Sequence, residues 1–271
     1  MKQYFELTRA REWILSAGGI VFGTFLAKGF GIQFILLLLS FFFVAAAIWS
    51  LNDVFDYRTD SKRNPITAGK IKIRNAVVFA LGLGVIGTAI AYFFLPPISF
   101  SLVAGSVLLF VVAGWLKLNK NFPGDTLINS AISAMPFSAG YLTFAGPDEG
   151  FFIFLSILFI TPVITQILQQ IRDYKEDRKH GFRTLVHVLG VKKSAYLIRI
   201  VLVVSAFIFL LGLRYFPVYF LLYLLALVPP ARFYFLDFSE KDIFRKGIEA
   251  QNRFILIAFA VTLVVSPFWL F

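Results

Sequence analysis

Cysteine is absent from this 271-residue chain, and histidine occurs only twice, at His180 and His187. Without cysteine the chain can form no disulfide, no thiolate metal site and no thiol nucleophile, and two histidines are too few for a histidine-rich metal site. Charged residues make up only 15% of the sequence, whereas 59% of the residues are hydrophobic. Soluble domains carry roughly 25% charged residues. The composition therefore excludes an ordinary soluble domain and indicates a polytopic membrane protein.

Nine apolar segments are long enough to cross the hydrocarbon core of a membrane, which takes about 20 residues of helix. They predict an all-α protein with nine transmembrane helices around a central cavity. Because no linker separates the segments, residues 1–271 are expected to form a single membrane domain. The predicted spans are residues 13–31, 33–52, 76–95, 98–116, 126–146, 151–171, 197–213, 215–231 and 254–271.

The basic residues are distributed unevenly about these spans, although the net charge of +11 could by itself suggest a nucleic-acid partner. Of the 26 lysines and arginines, all but Lys28 and Arg214 lie in the N-terminal segment or in loops that follow even-numbered spans. Under the positive-inside rule, this asymmetry predicts a cytoplasmic N-terminus and an external C-terminus. We therefore interpret the charge as a topology signal that also attracts anionic membrane lipid. We expect an integral protein of the cell (plasma) membrane with no nucleic-acid partner.

Two acidic clusters follow even-numbered spans, one in "NDVFDYRTD" (52–60) and the other in "DYKED" (173–177). Residues at i, i+3, i+4 and i+7 of a helix share a face. Each cluster would therefore form an acidic stripe at the cytoplasmic end of its helix, provided that the helix continues that far. The first stripe would consist of Asp53, Asp56 and Asp60, and the second of Asp173 and Asp177.

Such stripes have an energetic cost, because like charges at this spacing repel one another. An ionisable group at membrane depth also costs at least ~2.5–3.5 kcal/mol on insertion scales. One explanation is that the acids lie just outside the bilayer and pair with basic neighbours such as Arg58 and Arg172. We favour a divalent cation, because two such clusters occur on the same side, and oxygen ligands without histidine or cysteine suit Mg²⁺ bound to phosphate. The predicted Mg²⁺ ligands, facing a diphosphate from two sides, are Asn52, Asp53, Asp56, Asp60, Asp173 and Asp177.

The two acidic clusters also suggest an internal repeat. They lie about 120 residues apart, and spans 2 and 6, which precede them, have the same orientation because they are offset by four spans. This arrangement predicts two parallel pseudo-repeats of about four helices, roughly residues 13–116 and 126–231, followed by a ninth helix. A functional centre is then expected between the repeats.

Both clusters resemble the paired motifs of the UbiA superfamily of intramembrane prenyltransferases. "NDVFDYRTD" is similar to the family's Asn-x-x-x-Asp-x-x-x-Asp motif, and "DYKED" is similar to its second motif, Asp-x-x-x-Asp. The stretches "WLKLNKNFPGDTLIN" (115–129) and "GFRTLVHVLG" (181–190) also resemble family sequence at matching places. One departure follows the first motif, where the family usually has Asn-Arg-Pro-Ile. This chain has "RNPI" instead, with Asn64 at the expected arginine position and the arginine at Arg63.

The resemblance implies nine helices and a Mg²⁺-dependent transfer of a prenyl group from an isoprenyl diphosphate to a hydrophobic or aromatic acceptor. It implies catalytic roles for Asp56, Asp173 and Lys117, in an active site at the cytoplasmic side. The basic residues expected to bind the diphosphate are Arg63, Lys117, Lys120 and Arg178. Several acceptor classes remain open: aromatic acids and quinone precursors, glycerophosphate lipids, carotenoids, porphyrinoids and phosphoribosyl diphosphate.

The main alternative function is that of a transporter or ion-coupled carrier, which would use the acidic clusters as a cation site. A carrier of this kind is expected to place acids through the depth of the bilayer. Here the ionisable residues are concentrated at the cytoplasmic ends of the predicted spans. This distribution favours a one-sided active site.

Overall fold

The computed structural model describes residues 2–9, 13–57 and 64–215, and the regular structure within these ranges is helical. Predicted span 254–271 and all but the first residue of predicted span 215–231 lie outside the described residues, as does the C-terminus. The helices are α1 (Lys2–Leu7), α2 (Trp13–Leu26), α3 (Ile32–Asp56), α4 (Ile73–Phe94), α5 (Pro97–Trp115), α6 (Gly124–Leu142), α7 (Glu149–Ile160), α8 (Pro162–Lys179), α9 (Leu185–Leu189) and α10 (Val191–Gly212), with short 3-10 turns at Leu118–Lys120 and Leu213–Tyr215.

Five helical stretches are long and apolar enough to cross a membrane, which agrees with the predicted all-α polytopic class. They coincide with five of the predicted spans and are Ile32–Asp56, Ile73–Phe94, Pro97–Trp115, Glu149–Lys179 and Val191–Tyr215. Two further predicted spans correspond to α2 and α6. Helix α2 has 14 residues, about 21 Å at 1.5 Å per residue, and α6 contains Pro136 and carries many polar residues. The count of nine helices and the orientation of the termini stay predictions.

The described chain divides into two compact units. The first comprises its residues up to 117 together with 134–147, and the second comprises 118–133 and 148–215. Helix α6 therefore contributes its first half to the second unit and its second half to the first. The predicted pseudo-repeats, residues 13–116 and 126–231, stay a prediction.

The first unit is built around α3, which packs closely against α4. Ser40 of α3 donates a hydrogen bond from Oγ to the Gly87 carbonyl of α4, at 2.8 Å. A Cβ atom at Gly87 would lie 2.6 Å from the Ser40 carbonyl oxygen, so only glycine allows this approach of the two backbones. The apolar core around this contact consists of Ile20, Leu37, Phe41, Val44, Ala91, Leu95, Val103 and Ala139.

The second unit has its core between α8, α9 and α10. Helix α7 begins at an Asp148 cap, whose carboxylate accepts from the Phe151 amide at 2.8 Å. It passes into α8 through Thr161. Pro162 is tolerated at the first position of α8, because the N–H group that proline lacks would have no intrahelical partner at that position. The core residues are Ile164, Ile167, Leu168, Leu185, Val186, Ile198 and Val201.

Candidate functional site

The first acidic motif forms the last turn of α3. The helix continues past the predicted span through Asp56, so Asp53 and Asp56 share one face of a continuous helix. Both are buried, with exposures of 2% and 9%, and Asn52 is half-buried. Helix α3 ends at Asp56, and the predicted ligand Asp60 lies outside the described residues, as does Arg63.

Burial of this helix end results from the segments on either side of it. Leu7 of α1 forms an apolar cluster with Ile66, Ile71 and Ala76, and Val54 packs against this cluster from α3. The cluster therefore holds the N-terminal helix and the segment before α4 close to the motif. An apolar environment of this kind strengthens the interaction of the carboxylates with any cation that reaches them.

Asp53 is paired with a residue that the sequence analysis missed. The Arg9 guanidinium forms an ion pair with the Asp53 carboxylate, and it also lies 5.3 Å from the Trp49 ring centroid. The sequence offered one signal, a basic residue in the predicted cytoplasmic segment, but Arg9 was counted there only as a topology charge. The pair shows that a buried acid of this motif attracts a cation.

Asn64, which stands where the family usually has arginine, is bound to the first motif. Its side-chain amide donates to the Asp53 carbonyl at 2.9 Å, and its side-chain oxygen accepts from the Ile66 amide at 2.9 Å. Asn64 is itself buried. The departure from the family pattern therefore attaches the following segment to the end of α3.

The second acidic motif lies within α8, which continues to Lys179 as the spacing required. Asp173 and Asp177 are one turn apart, and both are half-buried. Asp173 accepts two hydrogen bonds from its neighbour Arg172, each at 2.6 Å, which is a pairing that the sequence analysis had considered. Arg178, a predicted diphosphate ligand, is exposed on the same helix.

The predicted basic residues Lys117 and Lys120 follow α5. Lys117 is exposed and is the last residue of the first unit. Lys120 ends the 3-10 turn of the second unit, where its ammonium lies 5.8 Å from the Phe182 ring centroid and within electrostatic range of the Asp177 carboxylate. The second unit thus contains a predicted phosphate ligand whose charge acts on a predicted metal ligand.

The second unit also contains a buried polar network that the sequence did not predict. Asp125, at the start of α6, is 1% exposed, and its Oδ2 accepts from Gln170 Nε2 at 2.8 Å and from the Leu185 amide at 3.1 Å. Gln170 in turn accepts from the Val186 amide through Oε1, at 3.1 Å. The available signal was the helical spacing, since Gln170 precedes Asp173 by three positions.

His187 attaches α9 to the second motif. Its ring stacks on Tyr174, with centroids 4.3 Å apart. Since the Tyr174 carbonyl can only accept, Nε2–H donates to it at 3.0 Å, and Nδ1 shares a hydrogen bond of 2.8 Å with the Thr184 hydroxyl. The backbone beside Asp173 is therefore held by a histidine for which the sequence suggested no role.

The donor set of the two motifs fits Mg²⁺. Within residues 2–9, 13–57 and 64–215, no three His, Cys, Asp or Glu side chains form a group that could hold a metal ion by themselves. Each motif there offers a pair of carboxylates and no nitrogen or sulfur ligand. An ion bound to one or two carboxylates keeps positions for water and phosphate oxygens, as Mg²⁺ requires.

Comparisons with known proteins agree with these motifs. The model of the UbiA prenyltransferase family matches residues 16–256. The digeranylgeranylglyceryl phosphate synthase of Saccharolobus solfataricus is 27% identical over 269 residues, which is 93% of this chain and 91% of that protein. The enzyme of the same name from Korarchaeum cryptofilum is 30% identical over 153 residues, 55% of this chain and about half, 53%, of that protein.

A solved structure shares the fold. The UbiA homologue from Archaeoglobus fulgidus bound to GPP and Mg²⁺ superimposes with a TM-score of 0.71 at 18% identity, covering 96% of this chain and 99% of that one. At this identity the likeness shows a common fold.

Proposed function

Because this chain belongs to the UbiA prenyltransferase family, we propose that it transfers a prenyl group from an isoprenyl diphosphate to a lipid acceptor, with Mg²⁺ as cofactor. The observation that carries the proposal is the pair of acidic helix ends. Each offers two carboxylates one turn apart, and Lys120 interacts electrostatically with Asp177 of the second pair. GPP and Mg²⁺ in the homologue from A. fulgidus support this choice of donor and metal.

For the acceptor we propose a prenylated glyceryl phosphate. The relatives are named for a product, digeranylgeranylglyceryl phosphate, that carries two geranylgeranyl groups. A prenyltransferase forms such a product by adding the second group to geranylgeranylglyceryl phosphate. This acceptor is one of the classes that the sequence left open, and both substrates have the long apolar chains expected of molecules that reach an enzyme from the bilayer.

The first motif would hold Mg²⁺ through Asp56, with Asp53, Asp60 and Asn52 as further oxygen ligands, and the second motif would hold Mg²⁺ through Asp173 and Asp177. When bound, the metal would neutralise negative charge on the diphosphate. Asp53 must then exchange its Arg9 partner for the metal or share itself between the two. Asp173 must likewise exchange its Arg172 partner for the metal or bind both.

The basic residues would stabilise the leaving group. The bond between C1 of the prenyl chain and the diphosphate oxygen breaks, the electron pair leaves with the diphosphate, and an allylic cation remains. The charge on the departing diphosphate increases, so Lys117, Lys120, Arg178 and Arg63 would bind it more tightly in the transition state than in the ground state. The acceptor hydroxyl oxygen then forms a bond with C1 and releases its proton.

We also propose that this chemistry takes place at the cytoplasmic side of the cell membrane. The distribution of basic residues supports this orientation, since only Lys28 and Arg214 lie outside the predicted cytoplasmic segments.

The direct test uses the purified full-length chain in lipid nanodiscs with Mg²⁺, radiolabelled geranylgeranyl diphosphate and geranylgeranylglyceryl phosphate. We expect pyrophosphate and a doubly prenylated lipid in equal amounts. Asp56→Asn and Asp173→Asn should each lower kcat/KM by roughly 100-fold or more, since each removes charge that acts in the transition state. Glu176→Gln is the matched control, because Glu176 is an exposed acid of α8 that is not among the predicted metal ligands.

The outcomes separate the alternatives. Transfer to another acceptor from a panel of quinone precursors, carotenoids and porphyrinoids, with none to the glyceryl phosphate, would contradict the acceptor. Full activity of both aspartate variants would contradict the site. Release of no pyrophosphate with any acceptor, together with ion uptake into liposomes, would favour the carrier.

A further inference from the structure

We propose that Asp125 and Gln170 are positioning residues, which hold the second acidic motif and Lys120 in the arrangement that binds the Mg²⁺–diphosphate substrate. This role rests on the function proposed above, because it concerns the acids assigned there to the metal. The Asp125–Gln170 network lies wholly within the second unit and consists of these two side chains and the amides of Leu185 and Val186.

The network connects three segments through two side chains. The Asp125 carboxylate is satisfied on both oxygens: Oδ1 accepts from the amide and the hydroxyl of Thr126, at 2.7 and 3.1 Å, and Oδ2 accepts from Gln170 and Leu185. Gln170, 5% exposed, uses its amide for Asp125 and its oxygen for Val186. A buried network whose polar groups are satisfied has one favoured geometry, because any displacement leaves a desolvated group without a partner.

Gln170 lies on α8 at a position from which the network can orient the two acids of the second motif. Residues 170, 173 and 177 are related by i, i+3 and i+7, so Gln170 and the two acids share a face of the helix. An oxygen about 6 Å from the axis of a helix moves by roughly 1 Å for each 10° of axial rotation. A misplacement of about 1 Å can cost a catalytic site 100-fold. By fixing the axial rotation of α8, Gln170 therefore sets the positions of the Asp173 and Asp177 carboxylates.

The segment that carries Lys120 is attached to the same network. The Phe122 amide donates to the Arg183 carbonyl at 2.8 Å, and the Arg183 amide donates to Asn121 Oδ1 at 3.3 Å. Two residues beyond Arg183, the Leu185 amide reaches Asp125. The segment after α5, the segment after α8 and the N-terminal turn of α6 are thus joined, so that Lys120 and Asp177 keep their relative position.

The first experiment compares Gln170→Met with Gln169→Met in the full-length chain. Methionine keeps the length of the side chain and removes both hydrogen bonds, and Gln169 is the half-buried neighbour on α8 that serves as the matched control. Gln170 acts on the acids through the rotation of α8, and a misplacement of about 1 Å can cost roughly 100-fold. We expect Gln170→Met to raise the Mg²⁺ concentration for half-maximal activity by about 10–100-fold, with Gln169→Met unchanged.

Hydrogen exchange provides a readout that does not depend on activity. In the wild type, the amides of Leu185 and Val186 are protected by side chains of the network, so peptides covering 182–190 should exchange faster in Gln170→Met. Faster exchange combined with an unchanged Mg²⁺ requirement would overturn the proposal, because the network would then be structural only. Unchanged exchange would overturn it as well.

Exchange of the carboxylate and amide groups between positions 125 and 170 tests the proposal even if Gln170→Met fails to fold. Asp125→Asn alone replaces one accepting carboxylate oxygen by an NH₂ group that cannot accept, and Gln170→Glu alone sets two carboxylates against each other. Together they restore an amide–carboxylate bond of opposite polarity, and the residue at 170 can still accept from Val186, whereas the Leu185 amide loses its acceptor on residue 125. We therefore expect the double variant to recover part of the Mg²⁺ affinity lost in Gln170→Glu, and no recovery would contradict the proposal.

Failure of the proposed function would give a different result. If the wild type transfers no prenyl group, Mg²⁺ with inorganic pyrophosphate can still be tested as a ligand through the rise in unfolding temperature that it causes. A smaller rise in Gln170→Met than in Gln169→Met would support the positioning role with the reaction unidentified. Equal rises would overturn the positioning role.

Discussion

Replacement of Arg9 by methionine should destabilise the protein strongly when Mg²⁺ is absent and much less when it is present. Arg9 is paired with Asp53, which is 2% exposed, whereas the Arg9 side chain is 36% exposed. Methionine can retain an apolar contact with Trp49, over whose ring the guanidinium lies. The substitution therefore removes mainly the positive charge.

The size of the effect follows from the burial of the pair. Removal of one partner from a fully buried ion pair costs about 3–5 kcal/mol, and exposed pairs contribute at most ~1 kcal/mol. Because one partner is buried and the other is about a third exposed, we expect a loss of roughly 2–3 kcal/mol. At about 2–4 °C per kcal/mol for a chain of similar size, the unfolding temperature should fall by about 4–12 °C.

Thermal unfolding in nanodiscs, with EDTA or with Mg²⁺ and pyrophosphate, measures this difference. If Asp53 is a metal ligand, Mg²⁺ supplies the positive charge that Arg9→Met removes, and most of the lost stability should return. The control is Arg74→Met, which removes a charge from an exposed side chain in the first turn of α4. An equal loss with EDTA and with Mg²⁺ would refute the assignment of Asp53 to the metal.

Three further predictions concern packing and topology. Gly87→Ala should destabilise the protein by at least ~1 kcal/mol, because its Cβ would meet the backbone of α3 at 2.6 Å. The control Gly82→Ala, with open space around its Cβ, should be neutral or slightly stabilising. Equal unfolding temperatures of the two variants would contradict this packing. His187→Phe should keep the stack on Tyr174 and lose two hydrogen bonds, lowering stability by about 1–3 kcal/mol, and an unchanged unfolding temperature would show that these bonds contribute nothing. The chain has no cysteine, so a single Gly146→Cys can be labelled selectively. Gly146 lies in an exposed loop after α6, which the predicted topology places outside the cell, and it should therefore react with a membrane-impermeant maleimide added to intact cells. Labelling only after lysis would contradict the predicted orientation.

Hydropathy located most of the described helices but placed two of their ends too early. Helix α3 runs four residues past its predicted span of 33–52, to Asp56, and α8 runs eight residues past its span of 151–171, to Lys179. Hydropathy reports where the hydrocarbon ends, whereas a helix continues as long as its backbone bonds and side chains allow. These extensions carry the acids, so the helical spacing of Asp173 and Asp177 was predicted correctly from sequence although the span boundary was not.

The sequence by itself determined the features that depend on neighbouring residues: the helical class, the apolar stretches, the two acidic spacings and the motifs that identify the family. Only the tertiary structure decided which partners those acids have. Arg9 is 44 residues from Asp53, and Asp125 is 45 residues from Gln170 and 60 from Leu185. No periodicity links residues so far apart, because their contact depends on how whole helices pack. The packing of α1 beside α3, and of α6, α8 and α9 together, places these groups within hydrogen-bonding distance of one another.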